Sequence, residues 1–136
     1  LIDLEHEYMI PIPDEIGPEA VFSELKRRFD FKFIASTLRQ GADASQNSWA
    51  ALLWDTKEYY TTTRYDIHLV DRGGGGASFS AAMIYGLLSG FDIKKAGEFA
   101  AAASALKQTI YGDYNLITKE EAFELMNQKG AGRVQR

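Results

Sequence analysis

With 46% hydrophobic and 25% charged residues in 136, the chain has enough apolar material for one globular core and too much for a disordered or fibrous protein. A net charge of −4 argues against nucleic acid as the partner, because tracking a phosphate backbone calls for a basic face. The absence of cysteine removes disulfide frameworks and thiolate zinc sites, which fits a cytoplasmic setting, and no apolar run approaches membrane-spanning length.

Residues 1–17 hold Pro11 and Pro13 and read as an irregular leading segment, with Pro18 placed near a first helical position that tolerates its missing N–H. From Glu19 to Phe29, Val21, Phe22, Leu25 and Phe29 recur at three- and four-residue intervals, which predicts an amphipathic helix. Residues 31–37 read as a short buried strand, followed by a polar loop from Arg39 to Ser48. Trp49 to Trp54 and Glu58 to Arg64, split by Asp55-Thr56-Lys57, predict a hairpin. Trp49, Trp54, Tyr59 and Tyr60 fall at strand spacing, which favours cross-strand pairing over base stacking.

Tyr65 to Asp71 alternates apolar and polar residues as a strand with one wetter face does. Ser78 to Leu88 reads as a helix closed by Gly90, and Asp92 to about Thr109 as an alanine-rich helix whose small side chains suit close packing. Thr118 and Glu121 form a capping-box signal for a last helix ending near Gln128. The polar tail 129–136 is expected to be loosely held. This order describes a single α/β layered domain over residues 1–136, with its site at the carboxyl ends of the strands.

Between the last strand and the helix after it stands Val70-Asp71-Arg72-Gly73-Gly74-Gly75-Gly76-Ala77-Ser78-Phe79. Glycines at a strand-to-helix turn let backbone N–H groups crowd around an anion, while the positive end of the helix dipole points at the same spot. The residues alone thus predict a phosphate site, against the alternative of a flexible glycine linker. His6 and His68 lack any clustered ligand spacing, so no metal is assigned to them.

This run resembles the anion-hole and base motif of ribokinase-like (pfkB-type) carbohydrate kinases, D-x-x-G-x-G-D-x-F, and departs from its fixed positions only at Ala77, where the family carries its catalytic aspartate. Further likeness, to the 2-keto-3-deoxygluconate kinase branch, lies in Ile34-Ala35-Ser36-Thr37-Leu38-Arg39, Asp66-Ile67-His68-Leu69-Val70-Asp71-Arg72, Ala103-Ser104-Ala105-Leu106-Lys107 and Gly132-Arg133-Val134-Gln135-Arg136. The resemblance covers the C-terminal, nucleotide-binding part of such a kinase, so the expected fold is a partial ribokinase-like, Rossmann-type α/β domain with a β-hairpin and helices on the sheet. Opening at Leu1 and not at methionine, the chain is expected to be a fragment, a processed form or a piece made for study.

The resemblance implies phosphorylation of a sugar acid, 2-keto-3-deoxygluconate, with ATP and Mg²⁺ as cofactors and no nucleic acid or membrane partner. It implies Gly74, Gly75 and Gly76 as the anion hole and Ala77 at the position of the base. It places Thr37, Arg39, Asn47 and Ala101 on the nucleotide, Ala101 through the helix that lines the adenine pocket, and Asp71 and Asp113 near the sugar.

For each there is an ordinary alternative: strand-end capping for Thr37, Arg39 and Asp71, helix packing for Ala101, a Gly-Asp turn for Asp113. Of the family's Asn-x-x-Glu magnesium motif, only the acidic member has a counterpart, Asp3, and the asparagine is absent. Gly73 and Ala82 are further departures, standing where the branch has a branched aliphatic and the family a glycine. Ala77 has no titratable group, which leaves two readings open: a sugar kinase lacking its base, or a non-catalytic phosphate- or nucleotide-binding module. A sheet edge left exposed in such a piece predicts strand pairing or a homo-oligomer.

Overall fold

The computed structural model describes residues 17–41, 46–128 and 133–134. The expectations for the leading segment, Asp3, His6, the Asn47 side chain, and tail residues 129–132 and 135–136 lie outside the described residues.

Helix α1 (Pro18–Phe29) has proline in its first turn, and Asp30 closes it in the left-handed region with φ 51°. Strand β1 (Ile34–Gly41) pairs antiparallel with β2 (Gln46–Trp54), in register from Ile34↔Trp54 to Gly41↔Asn47. Strand β2 turns back into β3 (Tyr59–Thr61) and also pairs antiparallel with β4 (Tyr65–His68). Helices α2 (Gly75–Leu88), α3 (Ile93–Lys107) and α4 (Lys119–Asn127) follow, and β5 (Arg133–Val134) closes parallel to β4. The sheet order is β1-β2-β4-β5, so short hairpins supply the antiparallel pairs and the helical crossover supplies the parallel one.

Three layers result. Alternation along β1 and β2 turns Ile34, Leu52 and Trp54 toward α1, where they pack with Phe22 and Leu25. The opposite face presents Ala51 and Leu53 to Phe79 and Met83 of α2 and to Ala96 and Ala100 of α3. Trp49, Tyr65 and Ile67 continue that face against Ala101, Ala102 and Ala105.

Helix α3 is therefore enclosed by the sheet, α2 and α4. From Ala96 to Lys107 every residue but Glu98 is buried, which explains an alanine-rich sequence without an apolar stripe. Room is tight: a Cβ at Gly97 would lie 2.1 Å from Leu53 Cδ1, and one at Gly86 3.0 Å from Ala96 Cβ.

The predicted hairpin is present, with Trp54 and Tyr59 in register and stacked at 5.7 Å. The capping box at Thr118 and Glu121 is formed, and Gly90 ends α2 at φ 81° with its N–H donating to Leu87 O.

Four expectations are corrected. Residues 39–41 and 46–48 do not belong to a polar loop: β1 runs on through Arg39 to Gly41 and β2 starts at Gln46, because ladder hydrogen bonds propagate outward from Trp49–Trp54 without needing apolar side chains. Residues 31–33 precede the strand and Phe31 and Phe33 are exposed, while Phe29 leaves the helix face to stack on Phe31 at 5.3 Å. Strand β4 ends at His68, not Asp71, since Val70 and Asp71 donate their N–H groups to Gln108 O. Helix α2 begins at Gly75, three residues before the predicted start, because glycine's poor helix propensity hides a first turn fixed by tertiary contacts.

Candidate phosphate-binding site

Strands β1 and β4 run in the same direction, and the glycine turn follows the carboxyl end of β4. Gly74 occupies the N-cap of α2 at φ 71°, ψ −5°, a left-handed conformation that glycine adopts without strain. The first helical bond runs from Ser78 N–H to Gly74 O at 2.8 Å, so the amides of Gly75, Gly76 and Ala77 have no acceptor within the helix. No side chain caps this end and no acidic residue stands in its first turn. These are the conditions under which a helix N-terminus takes an anion.

Three buried polar residues of α3 and its C-cap shape the turn from below. Ser104 Oγ donates to Gly75 O at 2.7 Å, and the Gln108 side chain lies against Gly75 so closely that a Cβ there would sit 3.2 Å from Gln108 Cγ. Lys107, fully buried, donates from Nζ to Gly73 O at 2.9 Å and to Gly112 O at 2.7 Å. From the rim, Asp71 Oδ1 accepts the Gly73 N–H and Oδ2 the Gly112 N–H, both at 2.8 Å. These two amides, Gly73 first, together with the nearby Lys107 charge, hold the Asp71 carboxyl below its ordinary value.

Most of the sequence-predicted residues converge here. Asp113 crosses the turn: a Cβ at Gly73 would fall 2.1 Å from Asp113 Oδ1, and one at Gly74 2.8 Å from its carbonyl oxygen. Arg39 reaches the cluster from β1 by donating to Gln108 Oε1 at 3.2 Å, with its guanidinium 5.6 Å from the centre of the Trp49 ring. Thr37 shares its face of β1. Ala77 stands exposed in the first turn of α2.

Ala101 is not brought to the site. It is fully buried in the core with Trp49, Tyr65 and Ile67, where helix packing accounts for its small side chain. Ala103 lines a cleft of about 230 Å³ between α2, α3 and the segment leading into α4, with Ala82, Tyr85, Phe99 and Ile117 also on its wall. The cleft starts two residues beyond the glycine turn, at Ser78, whose Oγ accepts from Asn115 Nδ2 at 3.0 Å.

Sequence reasoning did not assign Ser104, Lys107 and Gln108. Their spacing of three and four residues puts them on one face of a stretch, from Ala100 on, otherwise built from alanine and leucine, and that polar interruption is the available signal. Among the described residues no group of three or more His, Cys, Asp or Glu side chains is placed to hold a metal ion. No described helix is long and apolar enough to cross a membrane.

A glycine turn at the N-terminus of a helix, following the carboxyl end of a strand in an α/β layered fold, is the arrangement that other α/β proteins use to bind phosphate. The fold is ribokinase-like, and in fold and sequence the chain is similar to pfkB-type carbohydrate kinases. It is 39% identical to the crystal structure of a 2-dehydro-3-deoxygluconokinase from Thermotoga maritima, with a TM-score of 0.82 over 91% of this chain and 38% of that one. A pfkB-family carbohydrate kinase from Listeria grayi gives 28% identity and a TM-score of 0.76 over 85% of this chain and 36% of that one. A 2-dehydro-3-deoxygalactonokinase of Haloferax volcanii is 29% identical over 110 residues, which are 81% of this chain and 32% of the relative. The chain thus spans about a third of the relatives it matches. No protein-family model matches it.

Proposed function

We propose that this chain is the nucleotide-phosphate-binding part of a sugar-acid kinase of the 2-keto-3-deoxygluconate type, arranged as a single domain, and that Ala77 leaves it without a base. The observation that carries the reading is the first turn of α2, which no side chain caps and whose amides at Gly75, Gly76 and Ala77 have no acceptor within the helix, while the glycine turn before them is tied down on both sides. The likeness to the Thermotoga maritima enzyme supports the substrate class.

ATP fits the residues present: the glycine turn offers amides to its phosphates and the adjoining cleft an apolar wall to its base. When bound, ATP supplies the phosphoryl group to be transferred. For Mg²⁺ the described residues provide no cluster of ligands, and no step is routed through it. Gly74, Gly75 and Gly76 hold phosphoryl oxygens, Arg39 adds charge at the rim, Thr37 stands on the same strand face, and Asp71 and Asp113 fix the loop on the side where a sugar acid would lie. Asn47 is kept as a nucleotide contact by resemblance alone.

Transfer also requires a group that takes the hydroxyl proton, typically worth about 10²–10⁴-fold in rate. A methyl group at residue 77 cannot take it, so binding without turnover is the expected behaviour of this chain. The second reading, a non-catalytic phosphate- or nucleotide-binding module, rests on that same methyl group. Strand β1 ends the sheet order, and its outer edge is the surface through which copies would pair.

Titration calorimetry with ATP in the presence of Mg²⁺ tests the reading. Saturable heat with ATP, competed by inorganic tripolyphosphate, is expected; absence of heat up to millimolar nucleotide overturns both ligand-binding readings.

A further inference from the structure

We propose that Lys107 is the positioning residue of the phosphate cradle, a cation resident in the fold that turns the loop's carbonyls away so that only amides meet an incoming anion. The inference rests on the phosphate-binding reading for its ligand, while its geometry stands on the ligand-free protein.

A lysine with no exposed surface is unusual unless its charge is engaged, and here both acceptors are backbone carbonyls, Gly73 O and Gly112 O. The same two residues give their N–H groups to Asp71. Opposite charges therefore hold the opposite polar groups of Gly73 and of Gly112, one pair from below and one from the rim. With Gly73 O pinned to an ammonium, the turn cannot rotate that carbonyl toward a phosphoryl oxygen, a rotation that glycine would otherwise permit.

The lysine stem runs directly beneath the N-cap, since a Cβ at Gly74 would lie 3.0 Å from Lys107 Cε. Lys107 is also the last residue of α3, where the negative end of that helix favours a cation. The positive charge below the turn is thus stabilised by α3 before any ligand arrives, and it adds to the field of the α2 N-terminus above it. The role is positional: Lys107 acts on the ligand through Gly73 and Gly74.

Two variants test this. Lys107→Met keeps the length of the stem and removes the charge; Lys107→Ala leaves a space that an ammonium ion can enter. Lys107→Met is expected to retain its helical circular dichroism and to bind ATP and inorganic tripolyphosphate at least 10-fold more weakly. Without ligand, its Gly73 and Gly112 amides should exchange at least 10-fold faster than in the parent, while those of α3 keep their protection. In Lys107→Ala, ammonium chloride should restore both properties and tetramethylammonium chloride of equal ionic strength should restore neither.

Parent-like affinity and exchange in Lys107→Met overturn the proposal, as does equal recovery in the two salts. Should Lys107→Met not fold, folding of Lys107→Ala in ammonium chloride alone supports the proposal, and folding in neither salt refutes it. If the parent binds neither ATP nor tripolyphosphate, the functional reading falls, and amide exchange still decides the part played by Lys107.

Discussion

Replacing Gly74 by alanine strikes the cradle where a left-handed backbone coincides with a backbone neighbour that cannot swing aside. Its φ of 71° lies in the left-handed region, where a Cβ costs roughly 1–2 kcal/mol. The new methyl would also stand 2.8 Å from Asp113 O and 3.0 Å from Lys107 Cε. The first of these neighbours is backbone and yields only if the segment around Asp113 moves, so overpacking adds about 1–3 kcal/mol.

Gly90 supplies the control, because it shares the conformation at φ 81° with nothing within 4 Å of its Cβ position. Urea denaturation followed by circular dichroism should therefore show Gly90→Ala destabilised by about 1–2 kcal/mol. Gly74→Ala should lose about 2–5 kcal/mol, unless the loop relieves the clash by moving, in which case the loss passes to ATP binding. Calorimetry on the same sample distinguishes these outcomes. Equal unfolding midpoints for the two variants, with parent-like ATP affinity for Gly74→Ala, would refute the close packing of Lys107 and Asp113 beneath the turn.

Other consequences follow from the same geometry. Ser104→Ala removes a buried hydrogen bond to the carbonyl of Gly75, and thermal unfolding should register a loss of about 0.5–1.5 kcal/mol. Asp71, whose folded value is lowered, contributes fully above 3.8 and loses its contribution as pH falls below that through the folded value; the Gly73 and Gly112 amide resonances should titrate in that acid range and not in Asp71→Asn. Ala77→Asp, introduced with the remaining kinase segments supplied, should raise phosphoryl transfer to 2-keto-3-deoxygluconate by about 10²–10⁴-fold in a coupled assay, and no gain would remove residue 77 from the role of base.

Local chemistry in the sequence was enough to find the glycine turn, the helix it opens, the capping box at Thr118 and the hairpin that pairs Trp54 with Tyr59, because each depends on residues close in the chain or on strand periodicity. The family resemblance rested on such short runs as well, and the structural neighbours agree with it. Where the pattern weakened, the reading slipped. Polar residues hid the outer half of the β1–β2 ladder, and glycines hid the first turn of α2.

Tertiary structure alone decided what lies beneath the turn. Lys107, Ser104 and Gln108 sit about thirty residues beyond the glycines they hold, and Ala101 and Ala103, two residues apart on α3, part between core and cleft. A sequence records that a helix is small-sided and that a lysine interrupts it. Which side meets the sheet, and which carbonyls a buried ammonium reaches, depends on how α2, α3 and the segment around Asp113 pack together, and that arrangement is fixed only when distant parts of the chain exclude water from one another.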